Sequence, residues 1–131
     1  MKNLNILIIN DSEPILHGMS RCYSLKGHIV KSALSLDESI KFHSKDNWNP
    51  DIILCDRHLD NDVVERYILN KLREIWPSSF IIIHTALSGN VPNLINDIKK
   101  KGADMVLVGV SLPDLDDLYI KLSYSKDSTE A

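Results

Sequence analysis

Five short runs rich in Ile, Val and Leu divide the chain, at residues 4–9, 28–33, 52–55, 80–84 and 105–108. Most are continuous rather than alternating, as expected of strands covered on both faces. The second run is the least apolar and reads as an edge strand. Helical patterns fill the gaps. Ile15, Met19, Cys22 and Tyr23 fall on one helical face, and Gly27 supplies the stop. Ser35 followed by Glu38 is a capping-box signal for a second helix. Val64, Ile68, Leu72 and Ile75 form the stripe of a third, ended by Pro77. Val91, Leu94, Ile95 and Ile98 mark a fourth, with Lys99, Lys100 and Lys101 at the end where the helix dipole favours cations. Ser111 with Asp114 caps a fifth, which carries Leu115, Leu118, Tyr119 and Leu122; Pro113 suits an early position in it.

Strand and helix therefore alternate five times. That order predicts an α/β fold: a doubly wound, five-stranded parallel sheet with helices on both faces. The flavodoxin-like strand order 2-1-3-4-5 is favoured, with the functional crevice at the carboxyl ends of strands 1 and 3.

Composition narrows the function classes. At 131 residues and 44% hydrophobic content the chain suits one domain with a substantial core. A net charge of −3 argues against a nucleic-acid-binding surface. Two cysteines, Cys22 and Cys55, are too few for a disulfide framework, and Cys55 inside an apolar run reads as a buried thiol. The first ten residues do not read as a signal peptide, and no stretch approaches the roughly 20 apolar residues that span a membrane. A cytoplasmic location without direct membrane contact is expected. The periodicity fades after Leu122, so the expected division is a domain at 1–124 and a polar tail or linker at 125–131.

Polar residues sit where the apolar runs stop. Strand 1 ends at Asn10-Asp11, strand 3 at Asp56 and strand 4 at His84-Thr85. In the predicted fold these converge on one edge. Two carboxylates held close together repel unless a cation neutralises them. A hard divalent ion with oxygen ligands does this best, and Mg²⁺ is the usual occupant. A carboxylate beside such an ion can attack a phosphoryl donor and become an aspartyl phosphate.

These residues resemble the response-regulator receiver domains of two-component signalling. The resemblance is carried by Ile6-Leu7-Ile8-Ile9-Asn10-Asp11-Ser12-Glu13-Pro14, Pro50-Asp51-Ile52-Ile53-Leu54-Cys55-Asp56, Ile82-Ile83-His84-Thr85-Ala86 and Gly102-Ala103-Asp104-Met105-Val106-Leu107, and it spans about residues 3–124. It implies that Asp56 is the phosphoacceptor and that Asp11 binds Mg²⁺ directly, together with Asp56. Asn10 matches an acidic neighbour that acts through a water. His58 matches the residue whose backbone carbonyl is a metal ligand, and Thr85 the hydroxyl that turns towards the phosphoryl group. The implied partners are a sensor histidine kinase or a His-phosphotransfer protein, and a fused or separate output domain. Helix 4, strand 5 and helix 5 form the family's docking and dimerisation face, here including Leu112, Leu115 and Tyr119. A receiver of this kind is a switch rather than an enzyme.

Besides the amide at Asn10, the chain departs from that pattern at three places. Gly109 stands where the family places a lysine, Val106 replaces the switch aromatic, and the segment from Arg57 to Val63 lacks the usual proline and glycine. A lysine ammonium at a phosphoryl group contributes a charge-assisted bond of about 1.5 to 3 kcal/mol, which glycine cannot supply. Arg57 is a neighbouring cation, although adjacent strand-end side chains point to opposite faces. His58, His84, Asp60 and Asp62 read first as solvated loop residues. Two alternatives stand beside a phosphoryl-accepting receiver. One is a pseudo-receiver acting as a phosphorylation-independent interaction module. The other is a flavodoxin-like binder of FMN or another phosphate-bearing ligand, which the acidic turn after strand 1 disfavours.

Overall fold

A strand sealed on both faces must be apolar at nearly every position, and three strands of this chain are. In the computed structural model, which describes residues 3–59, 62–63, 66–85 and 92–108, β1 (Asn5–Ile9), β3 (Ile52–Asp56) and β6 (Phe80–Thr85) form the centre of a parallel sheet. β2 (Ile29–Ala33) and β7 (Met105–Val108) flank them, giving the order β2-β1-β3-β6-β7. Counted by sheet strands alone this is the predicted 2-1-3-4-5. The helices are α1 (Glu13–Leu25), α2 (Leu36–Asp46), α3 (Arg66–Ile75) and α4 (Pro92–Lys101). The predicted fifth helix lies outside the described residues, as does the division at residue 124.

Side chains alternate across the sheet and build two cores. Leu7, Ile9, Ile53, Cys55, Ile81 and Ile83 face Leu69 and Leu72 of α3, Trp76 and Ile98 of α4. Ile6, Ile8, Ile52, Leu54 and Ile82 face Leu16, Met19 and Tyr23 of α1. One expectation is corrected here. Ile15 is 52% exposed, and the inward stripe of α1 is Leu16, Met19 and Tyr23. Both sets have helical spacing; the sheet meets the helix one residue further round than the stripe through Ile15 and Cys22 implied.

β2 is the edge strand its weaker hydrophobicity predicted, with only Ala33 fully buried. It begins at Ile29 rather than His28. The His28 ring is instead buried, its Nδ1 accepting from the Leu4 N–H at 3.1 Å. Lys31 on this edge pairs with Asp46 at 3.4 Å and lies over the rings of Phe42 and Trp48. A charged side chain there discourages pairing with a foreign strand.

The capping box forms in a shifted version. Ser35 Oγ accepts from the Glu38 N–H at 3.2 Å, and Glu38 Oε2 accepts from the Leu34 N–H at 2.6 Å, one residue before the cap. At the amino ends of the strands, acids serve the fold. Asp51 Oδ2 accepts from the Asn5 N–H at 2.9 Å. Asp104 Oδ2 accepts from the Ile81 N–H at 2.8 Å and from Arg73 Nη2 at 2.7 Å.

The segment after Asp56 is a second correction. The sequence reads as a loop there, but His58–Leu59 (β4) and Asp62–Val63 (β5) pair antiparallel. Two residues, Asp60 and Asn61, separate the pair, and both are turn-forming types.

Two glycines give a paired test. Gly102 has φ +130°, and a Cβ there would meet Leu69 Cβ at 3.4 Å. Gly18 lies inside α1 with nothing within 4 Å of its virtual Cβ. Gly102→Ala is expected to cost about 1 to 3 kcal/mol in urea unfolding. Gly18→Ala is expected to add about 0.5 to 1 kcal/mol.

Candidate functional site

The register decides what meets at the carboxyl edge. Ile9 pairs with Cys55, Asp56 with His84, and Thr85 with Val108. Asn10 and Asp11 therefore leave β1 at the level where Asp56 ends β3, and Thr85 ends β6 on the next strand. β1 and β3 are also where the strand order reverses, the position at which open α/β sheets bind ligands. Of the sequence-predicted residues, Asn10, Asp11, Asp56 and Thr85 share this edge. His58 follows two residues beyond Asp56, at the start of β4.

Burial differs sharply among them. Asp11 is exposed, Asp56 is half-buried and Thr85 is buried. Asn10 is only 4% exposed. Its N–H donates to the Ala33 carbonyl at 3.1 Å, and its Oδ1 accepts from the Ser12 N–H at 2.9 Å. Ser12, the N-cap of α1, makes no side-chain cap bond of its own. Asn10 thus organises the turn that presents Asp11. An uncharged amide can be buried there at far lower cost than a carboxylate.

His84 is not a loop residue. It lies within β6, half-buried, directly beside Asp56 in register. Arg57 is held in the ladder by its N–H, which donates to the His84 carbonyl at 2.8 Å. Its Nε is buried with no hydrogen-bond partner. Val106 is half-buried and packs against the core on the α3 and α4 side. Gly109, Asp60 and the docking-face residues Leu112, Leu115 and Tyr119 lie outside the described residues.

The donors at this edge are oxygens: two carboxylates and a buried amide, with backbone carbonyls beyond Asp56. Such a set suits a hard divalent cation completed by water. Asp11 and Asp56 are the carboxylates that a cation would meet at this edge. Cys55 has no part in the chemistry. It is fully buried, and burial pushes its thiol well above the usual range, with the Asp56 charge acting in the same direction. It stays protonated and unreactive.

No protein-family model matches the chain, and no curated protein matches it. Solved structures do. A response regulator from Burkholderia pseudomallei, with a phosphorylated aspartic acid and a calcium ion, aligns at a TM-score of 0.71 and 23% identity, covering 97% of this chain and 72% of that one. A chemotaxis response regulator of Vibrio cholerae aligns at 0.73 and 20% identity, covering 90% and 98%. The N-terminal domain of a response regulator/sensory box/GGDEF three-domain protein from Carboxydothermus hydrogenoformans aligns at 0.70 and 17% identity, covering 96% and 98%. The chain has the fold of the receiver domains. No helix among the described residues is long and apolar enough to cross a membrane.

Cys55 gives a pH test. Its folded-state pKa is raised, so the unfolded chain loses this proton first and stability falls as pH rises above the ordinary thiol value of about 8.5. Between pH 8 and 9.5 the slope should steepen towards about 1.4 kcal/mol per pH unit from this group, and Cys55→Ala should flatten it. In native protein a thiol reagent should modify Cys22 and spare Cys55.

Proposed function

We propose that this chain is a phosphoryl-accepting signal receiver with Asp56 as the acceptor. The observation that carries the reading is the register: it ends β1, β3 and β6 together and so gathers Asp11, Asp56 and Thr85 from distant parts of the sequence. In the proposed reaction a carboxylate oxygen of Asp56 attacks the phosphorus of a phosphohistidine on a sensor kinase or phosphotransfer protein. An O–P bond forms, the donor's P–N bond breaks, and its electron pair returns to the imidazole nitrogen. Mg²⁺ would be held by Asp11, Asp56 and the His58 carbonyl, with Asn10 acting through a water. When bound it supplies charge neutralisation for the phosphoryl oxygens. Thr85 offers a hydroxyl to one of those oxygens.

The proposed domain covers residues 1–124, with 125–131 a tail or linker. We place the protein in the cytoplasm, working through a fused or separate output domain or through a homodimer built on helix 4, strand 5 and helix 5. One observation favours a second reading. Val106 stands at the relay position, half-buried, and a β-branched side chain has few rotamers to exchange. A phosphorylation-independent interaction module would keep the fold without the relay.

Incubation with Mg²⁺ and acetyl phosphate separates the two. A receiver gains one phosphoryl group, acid-stable and base-labile, seen by mass spectrometry, and Asp56→Asn abolishes it. Asp11→Asn should slow labelling by about tenfold or more, the loss typical of even an outer metal partner. No adduct on the unaltered chain would favour the interaction module.

A further inference from the structure

We infer that Arg57 supplies the cation at the phosphoryl site that a lysine at position 109 would otherwise provide. This rests on Asp56 accepting the phosphoryl group.

Three observations lead to it. Arg57 is fixed by the backbone, its N–H bonded to the His84 carbonyl at 2.8 Å, so the ladder continues one residue past Asp56. Because Asp56 pairs with His84, Arg57 lies level with Thr85. Ile53 and Cys55 share one core with Ile81 and Ile83, so alternation puts Arg57 and Thr85 on the same face of the sheet. Finally, Arg57 Nε is buried with no hydrogen-bond partner. A covered guanidinium nitrogen without an acceptor, on the residue that follows an acidic strand end, is a donor open to an anion.

Asp56 and Arg57 leave the strand on opposite faces, so the two side chains do not meet by alternation. The phosphoryl group brings them within reach. On the proposed acyl phosphate the oxygens would extend beyond the strand end, on the edge that Thr85 shares with Asp56. Arg57 starts one strand away from Thr85, about 4.8 Å, on the same face and with a much longer side chain. The planar fork matches phosphate geometry, and a guanidinium stays charged at any working pH. Arg57 binds and orients; it keeps its protons, and no bond at it is made or broken. Gly109 has no side chain with which to compete for that position.

The test uses the full chain with Mg²⁺ and beryllofluoride, followed by fluorine NMR. The unaltered protein should bind the mimic. Arg57→Gln should bind it about tenfold more weakly or worse, as expected for loss of a charge-assisted bond. Arg57→Lys should retain most of the affinity, and Arg57→Gln combined with Gly109→Lys should regain it. Mg²⁺ affinity without the mimic should be unchanged or tighter in Arg57→Gln, which separates a lost phosphoryl contact from a lost fold. If Arg57→Gln fails to bind Mg²⁺, Arg57→Met carries the same comparison. Equal beryllofluoride binding by the unaltered chain and Arg57→Gln overturns this inference and leaves Asp56 as acceptor. Loss on His84→Gln instead overturns it in favour of the imidazole. No binding by the unaltered chain overturns both.

Discussion

The parallel pairing of β1 with β3 is the constraint on which the rest depends. Ile6 to Ile9 lie against Ile52 to Cys55, and all eight are buried. Strands sealed on both faces cannot slide freely, because a slip carries whatever brackets the apolar run into the core. Here the brackets are Asp51 and Asp56. Burying either without a partner would cost several kcal/mol. The run is therefore pinned at both ends, with Asp51 already committed to the Asn5 N–H at 2.9 Å. One end is a structural cap and the other opens onto the candidate site. The position of Asp56 is a consequence of core burial.

The same logic explains how much could be read from sequence. The central strands were legible because two-sided burial demands continuous apolar runs, and their ends located Asp56, Asn10-Asp11 and Thr85 together. The edge character of β2 and the Ser35 cap were legible for equally local reasons. The rotation of α1 was not. Ile15 and Leu16 are both apolar, and only packing against the sheet exposes the first and buries the second. The β4–β5 pairing is not legible, because two-residue strands leave no periodicity. At the site, the burial of Asn10 and its bond to Ser12 depend on how the chain turns after β1, which no spacing reveals.

Asn10 changes the electrostatics of the edge as well as its shape. With an acid at that position, three carboxylates would crowd one strand end, and without metal their repulsion would work against the fold. With the amide, two remain, and the buried member carries no charge. The free state is thereby less strained, while a divalent cation has fewer charges to neutralise. For the proposed metal site, weaker affinity and easier folding without metal would both follow from this amide.

In the proposed receiver, covalent chemistry and signal output would depend on different parts of the molecule. Asp56 as the proposed acceptor, the metal-ligand candidates and Thr85 are fixed by the register of β1, β3 and β6, and that register is held by two-sided burial. Output requires two arrangements of the sheet edge that differ in free energy, and a full population shift needs about 5.5 kcal/mol of differential affinity. Val106, half-buried against the α3 and α4 core, has little rotamer freedom to contribute. A phosphoryl group on Asp56 could be formed and held by contacts that never reach β7. Whatever couples the site to a partner must then act through groups that move when the anion arrives. Among the described residues, Arg57 combines a fixed backbone, a long charged side chain and a donor without an acceptor. The differential contact that a switch requires is in that case placed beside the acceptor on β3, rather than across the sheet on β7.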